Sequence, residues 1–339
     1  MNNFSIRFLL LTLVLALTTF NLIAQGQSDN ADRGRNRQEE SEAADLREGK
    51  HQDRMADAFG DLNPSRGNRP GFAATTGGTA ATSAILYHNG PVMNTPAIYV
   101  IFYGDWNQTN GSDTAAGQQI VVDWAQSIGS SPHYALNSSY GTGTYPSSGQ
   151  ATYGGATTLT GSYSKRLRDS NILSIVDSTI TSGALGPFNP NGVYFLVTSS
   201  DVTATSGFCT QYCGWHTHAV KSYGDLKYSF VGNAKRCLSG CAAQSTSSPN
   251  NNPGIDGSIS VLTHELEEAH SDPDLNAWYD ASGAENADKC AWTFGHFQYL
   301  VVANGSFANM HVGNRDYLIQ RNLWHTLSGD FCQVDSTHN

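Results

Sequence analysis

Seven residues in a row, Ala97-Ile-Tyr-Val-Ile-Phe-Tyr103, are apolar or aromatic and stop at Gly104. A run of that length, rich in β-branched and aromatic side chains, predicts a strand buried on both faces. Val193-Tyr-Phe-Leu-Val-Thr198 predicts a second. Between them Ile120, Val121, Trp124 and Ile128 recur at helical spacing, and so do Ile172, Leu173, Val176 and Ile180. Trp215 to Val220 and Leu226 to Val231 read as shorter strands. Pro132 to Thr160, rich in Ser, Gly, Tyr and Thr, predicts a long exposed loop or a set of edge strands. The order of elements predicts an α+β domain, a mixed β-sheet with flanking helices.

The most informative pattern lies between Gly257 and Pro273. Ile259, Leu262, Leu266 and Ala269 fall on one helical face. Ser258 is placed to cap the N-terminus, and Pro273 stands just past the last turn. His264 and Glu268 stack one above the other on the opposite face, with Glu265 at their flank. This His-Glu-x-x-Glu differs at one ligand from the zinc-binding His-Glu-x-x-His helix. A carboxylate oxygen is an acceptable zinc ligand and also suits harder cations. On this reading His264 and Glu268 hold a divalent metal, zinc first and calcium as the alternative, and Glu265 is the base that polarises a metal-bound water. The plain alternative is the wet face of an amphipathic helix.

A further acidic ligand has two sources. Asp274 lies ten residues beyond His264, and Glu285 and Asp288 come later. The later pair is favoured, because Asp288 is close to Cys290, which a disulfide can hold. Turn and capping roles are the alternative for both. His216 and His218 alternate along a predicted strand and share a face, which can bring them near the site or leave them half-buried in the core. His270 points toward the apolar edge of the helix and is assigned to packing. No Gly-x-Ser-x-Gly elbow is present to support a serine hydrolase.

Charge and composition divide the chain. Arg7 is followed by the apolar run from Phe8 to Leu17, and Ala24 offers a small residue for cleavage. Residues 1–24 therefore predict a signal peptide, and the mature protein an exported one. Residues 25–83 mix charges of both signs and then turn to Gly and Thr, which predicts a disordered linker or pro-segment. Residues 84–339 form the folded domain, with nineteen acidic and ten basic side chains. That balance argues against nucleic acid or an anionic membrane as the main partner. Nine of the nineteen acids fall between Asp256 and Asp288, where no Lys or Arg occurs, which favours a cation site around the helix. All six cysteines lie in this domain and predict disulfides. Cys209/Cys213 and Cys237/Cys241 can each close a small loop or cross-link to one another, with a four-cysteine zinc site as the remaining option.

Several spaced motifs occur in one order: Tyr87-His88-Asn89-Gly90-Pro91, Phe102-Tyr103-Gly104, Cys213-Gly214-Trp215-His216, His264-Glu265-Leu266-Glu267-Glu268, Asn276-Ala277-Trp278-Tyr279 and Asp288-Lys289-Cys290. Over about residues 85–325 the chain resembles the EXORDIUM-like, or phosphate-induced protein, family. The resemblance implies an extracellular or cell-wall-associated protein, with a peptide or a cell-wall polymer as partner, and no settled reaction. The strand–helix–strand order ahead of the His/Glu helix is also similar to zincin metallopeptidases, with Glu268 as the departure. Two function classes follow. One is a metal-dependent, peptidase-like hydrolase. The other is a non-catalytic extracellular protein whose acidic site holds a structural cation.

Overall fold

The computed structural model describes residues 84–339. The expected signal peptide and linker lie outside the described residues. Five strands form one sheet: β1 (Ala97–Tyr103), β2 (Thr152–Thr158), β3 (Gly192–Thr198), β4 (Gly214–Lys221) and β5 (Gly224–Gly232). Their order is β2-β1-β3-β5-β4. The first four run parallel, and β4 joins β5 as an antiparallel hairpin at the edge. β1 and β3 are buried at every position, as continuous apolar runs in the centre of a parallel sheet should be.

Three α-helices longer than two turns accompany the sheet: α1 (Ala115–Ser127), α2 (Asp169–Thr181) and α3 (Pro253–Ser271). The periodic apolar residues of α1 and α2 are the ones that become buried. α1 and α3 lie side by side. Trp124 of α1 donates to Thr263 Oγ1 of α3 at 3.0 Å and meets Phe195 of β3 edge-on. The preceding residue of β3, Tyr194, points to the other face and stacks on Tyr99. The expected α+β class with a mixed sheet is therefore present.

Two expectations change. The Pro132–Thr160 stretch is not simply exposed: Tyr134–Tyr140 winds into a 3-10 helix with Tyr134, Leu136 and Tyr140 buried, and Thr152–Thr158 is the edge strand β2. Its tyrosines read as surface residues from composition, but their hydroxyls have buried partners, Tyr134 on His270 Nδ1 at 2.8 Å and Tyr140 on the Leu323 carbonyl. The second change is the start of α3. Asn252 caps it by accepting from the Ile255 amide at 3.2 Å, and Pro253 takes the first turn, where its missing N–H costs nothing. Ser258 is inside the helix, and its hydroxyl donates to the carbonyls of Gly254 and Gly232.

The six cysteines are all paired. Cys209–Cys237 and Cys213–Cys241 cross-link the two short-spaced pairs, each bridge spanning 28 residues, and Cys290–Cys332 spans 42. This excludes the four-cysteine zinc site. No helix among the described residues is long and apolar enough to cross a membrane.

Candidate metal centre

The polar face of α3 is not wet. Every residue from Gly254 to Ser271 is buried. The side opposite the sheet is covered by the Tyr134–Tyr140 turn and the segment that follows the helix. Burying charged side chains costs several kcal/mol per ion unless each finds a partner. The partners of this face are therefore the main question.

His264 and Glu268 converge as their spacing predicts, with Nε2 and Oε1 3.0 Å apart. Asp288 joins them, its Oδ1 lying 3.5 Å from His264 Nε2. The Asp288 amide donates to Glu268 Oε1 and the Glu285 amide donates to Asp288 Oδ2, both at 3.1 Å, so the loop is tied to the helix. Cys290 anchors the far end of that loop through its disulfide. One donor atom each from His264, Glu268 and Asp288 falls within 4.8 Å of the others.

A second group lies beside the first. Gly214 begins β4 where the strand passes close to α3, and a Cβ there would stand 2.6 Å from Val261 Cγ1 and 2.9 Å from Glu265 Oε1. The close approach lets His216 reach Glu265 and Glu268, with Nδ1 3.5 Å from a carboxylate oxygen of each. Its Nε2 faces the Asp272 carbonyl at 3.4 Å and Glu285 Oε2 at 3.6 Å. The Cys-Gly-Trp-His motif thus has a steric logic: glycine admits the strand, tryptophan fills the core, and histidine enters the cluster. Gly214→Ala is expected to cost about 1–3 kcal/mol through overpacking. Its denaturant midpoint against that of Gly143→Ala, where an added Cβ meets nothing within 4 Å, is the measurement that checks this.

Of the remaining candidates, His218 turns aside to Asp225 at 3.0 Å, and Asp274 is held by Lys227 at 2.8 Å. Asp274 is not brought to the cluster. Glu267 is tied to His133 Nε2 at 2.7 Å, both fully buried. His270 packs as expected, between the hydroxyls of Tyr134 and Ser147. Asp272, which the sequence did not single out, is fully buried and offers Oδ1 to the amides of Asn276 and Ala277.

The cluster is short of positive charge. Burial, then the neighbouring carboxylates of Glu268, Asp272 and Asp288, raises Glu285 well above the ordinary carboxyl range. Burial and Glu268 lift Asp288 to about 8, and burial lifts Asp272 to about 6. Burial alone would make His216 less basic, yet Glu265 and Glu268 outweigh it and raise it to about 10. Glu268 alone goes down, to about 2, because His264 and His216 overcome the effect of burial. Within this cluster six buried carboxylate oxygens lack a hydrogen bond of normal length, Glu265 Oε2, Glu268 Oε2, Asp272 Oδ2, both of Glu285, and Asp288 Oδ1, and nitrogens of His216 and His264 stand 3.5–3.6 Å from four of them.

Residues 85–328 match the family described as Phosphate-induced protein 1 conserved region. The chain belongs to this family. Among relatives of this phosphate-induced protein family member is Protein EXORDIUM-like 3 of Arabidopsis thaliana, 30% identical over 285 residues, covering 73% of this chain and 82% of the relative. Protein EXORDIUM-like 5 of the same plant is 28% identical over 276 residues, covering 70% and 74%. Protein EXORDIUM is 28% identical over 173 residues, covering 43% and 55%. No solved structure matches the chain at a significant level. The matched span of the family includes both groups of the cluster, from His216 to Asp288.

Proposed function

We propose that this chain is an extracellular protein whose domain is built around a buried divalent cation held by His264, Glu268 and Asp288. The observation that carries the reading is a set of six buried carboxylate oxygens without a hydrogen bond of normal length, four of which have only an imidazole nitrogen at 3.5–3.6 Å. Nearly all buried polar atoms in folded proteins are hydrogen-bonded, and such a set calls for a cation. An imidazole nitrogen beside two carboxylates favours zinc over calcium, which prefers oxygen alone. The three disulfides support export to an oxidising compartment. In this role the cation joins α3 to the loop carrying Asp288 and leaves binding of a peptide or cell-wall polymer to the surface.

A hydrolytic, zincin-like reading is favoured by one observation. The His264 side chain keeps 7% of its surface, against 2% or less for Glu265, Glu268 and Asp288, so the centre reaches outward at His264. With a peptide carbonyl brought there, Glu265 is the base available to polarise water. Glu265→Gln distinguishes the two: it abolishes peptide hydrolysis if catalysis is the role and leaves function untouched if the cation is structural.

Elemental analysis of the purified chain tests the shared premise. Stoichiometric zinc that disappears in Glu268→Ala is the expected result. A chain free of metal after reconstitution with zinc, and no less stable for it, would overturn the proposal.

A further inference from the structure

The two oxygens of Glu268 serve different groups. Oε1 faces His264 at 3.0 Å, and Oε2 faces His216 Nδ1 at 3.5 Å. Donor atoms of His216, Glu265 and Glu268 lie within 4.8 Å of one another, as do those of His264, Glu268 and Asp288, and Glu268 is the member common to both sets. A carboxylate that presents one oxygen to each of two ligand groups has the form of a bridge between two cations.

Charge points the same way. Glu265, Glu268, Asp272, Glu285 and Asp288 gather five carboxyl groups in the interior around only two imidazoles, those of His216 and His264. Ionising all five leaves more negative charge than a single divalent cation balances. Independently of the acidic count, Glu285 is fully buried with neither oxygen accepting a hydrogen bond, and it lies on the His216 side of the cluster, 3.6 Å from Nε2. Glu265 Oε2 is buried on the same side, with His216 Nδ1 at 3.5 Å and no hydrogen bond of normal length. His216 is placed for ligation: in the neutral tautomer that donates Nε2–H to the Asp272 carbonyl, the lone pair of Nδ1 would be directed between Glu265 and Glu268.

We propose that His216, Glu265 and Glu268 Oε2 hold a second divalent cation, joined through the Glu268 carboxylate to the one at His264 and Asp288. The inference rests on the cation reading above and extends it. It makes Glu265 a ligand, which takes the free base away from the hydrolytic alternative.

The test is native mass spectrometry of the full chain, stripped with a chelator and reloaded with zinc. Two equivalents are expected in the wild type, one in His216→Ala, one in His264→Ala, and fewer than one in Glu268→Ala. One equivalent in the wild type, kept by His216→Ala and lost by His264→Ala, would sink the second site and leave the first standing. No bound zinc in any form would remove both. The wild type loaded with manganese(II) gives a readout that no variant's folding can confuse. Two ions bridged by one carboxylate give an exchange-coupled electron paramagnetic resonance signal at two equivalents, whereas an uncoupled six-line signal at full loading counts against the bridge.

Discussion

Glu268→Ala should lower the stability of the zinc-loaded protein by about 3–5 kcal/mol, the cost of leaving buried charges without their partner. For a domain of this size that is a fall in melting temperature of roughly 6–20 °C. Calorimetry with zinc and with chelator supplies the comparison. The companion variant Glu285→Gln makes the sign informative. Without a cation, Glu285 sits among like charges, so neutralising it should leave the midpoint unchanged or raise it. With zinc bound, the same change should lower it. A midpoint that rises equally in both conditions would mean that no cation resides in the cluster. Binding must also weaken as pH falls, because imidazoles and carboxylates have to give up their protons to ligate.

The second large effect concerns the Cys290–Cys332 bridge. Replacing both cysteines by serine should cost about 4 kcal/mol, on the chain-entropy account for a loop of this length. The bridge closes 42 residues and anchors the turn that carries Asp288. The loss should therefore be larger in zinc than in chelator, since a loosened loop also weakens ligation. Urea denaturation under the two conditions measures both parts. An identical loss in each would show that the bridge and the metal centre are independent.

Much of the architecture is written in local pattern. The two central strands, the helices containing Trp124 and Val176, and the His/Glu helix all follow from apolar spacing, because each buries the stripe that its period defines. The start of the long helix was open to the same reading, since Asn252-Pro253 is a cap followed by a first-turn proline. What spacing could not show is that its polar face is buried as well. That depends on a turn more than a hundred residues earlier and a loop after the helix, and amphipathic periodicity is blind to such covers. The convergence of His264, Glu268 and Asp288 was legible, since the first two share one helix turn and the third is tethered by Cys290. His216 was only a weaker candidate. Its place in the cluster depends on the pairing of β4 with β5 and on the missing side chain at Gly214.

The paired bridges Cys209–Cys237 and Cys213–Cys241 have a bearing on how the protein matures. Exchanging partners between them would give one slightly longer and one slightly shorter loop, with nearly the same closure entropy. The unfolded chain therefore has almost no preference between the native pairing and its isomer. The Sγ atoms of Cys237 and Cys241, which belong to different bridges, are 3.5 Å apart, close enough for a free thiolate to pass from one bridge to the other. Selection falls to the packing of the β4 edge against the turn before α3. Oxidative folding should accordingly scramble at this pair first, and a catalyst of thiol exchange should raise the yield of native protein without altering its final stability.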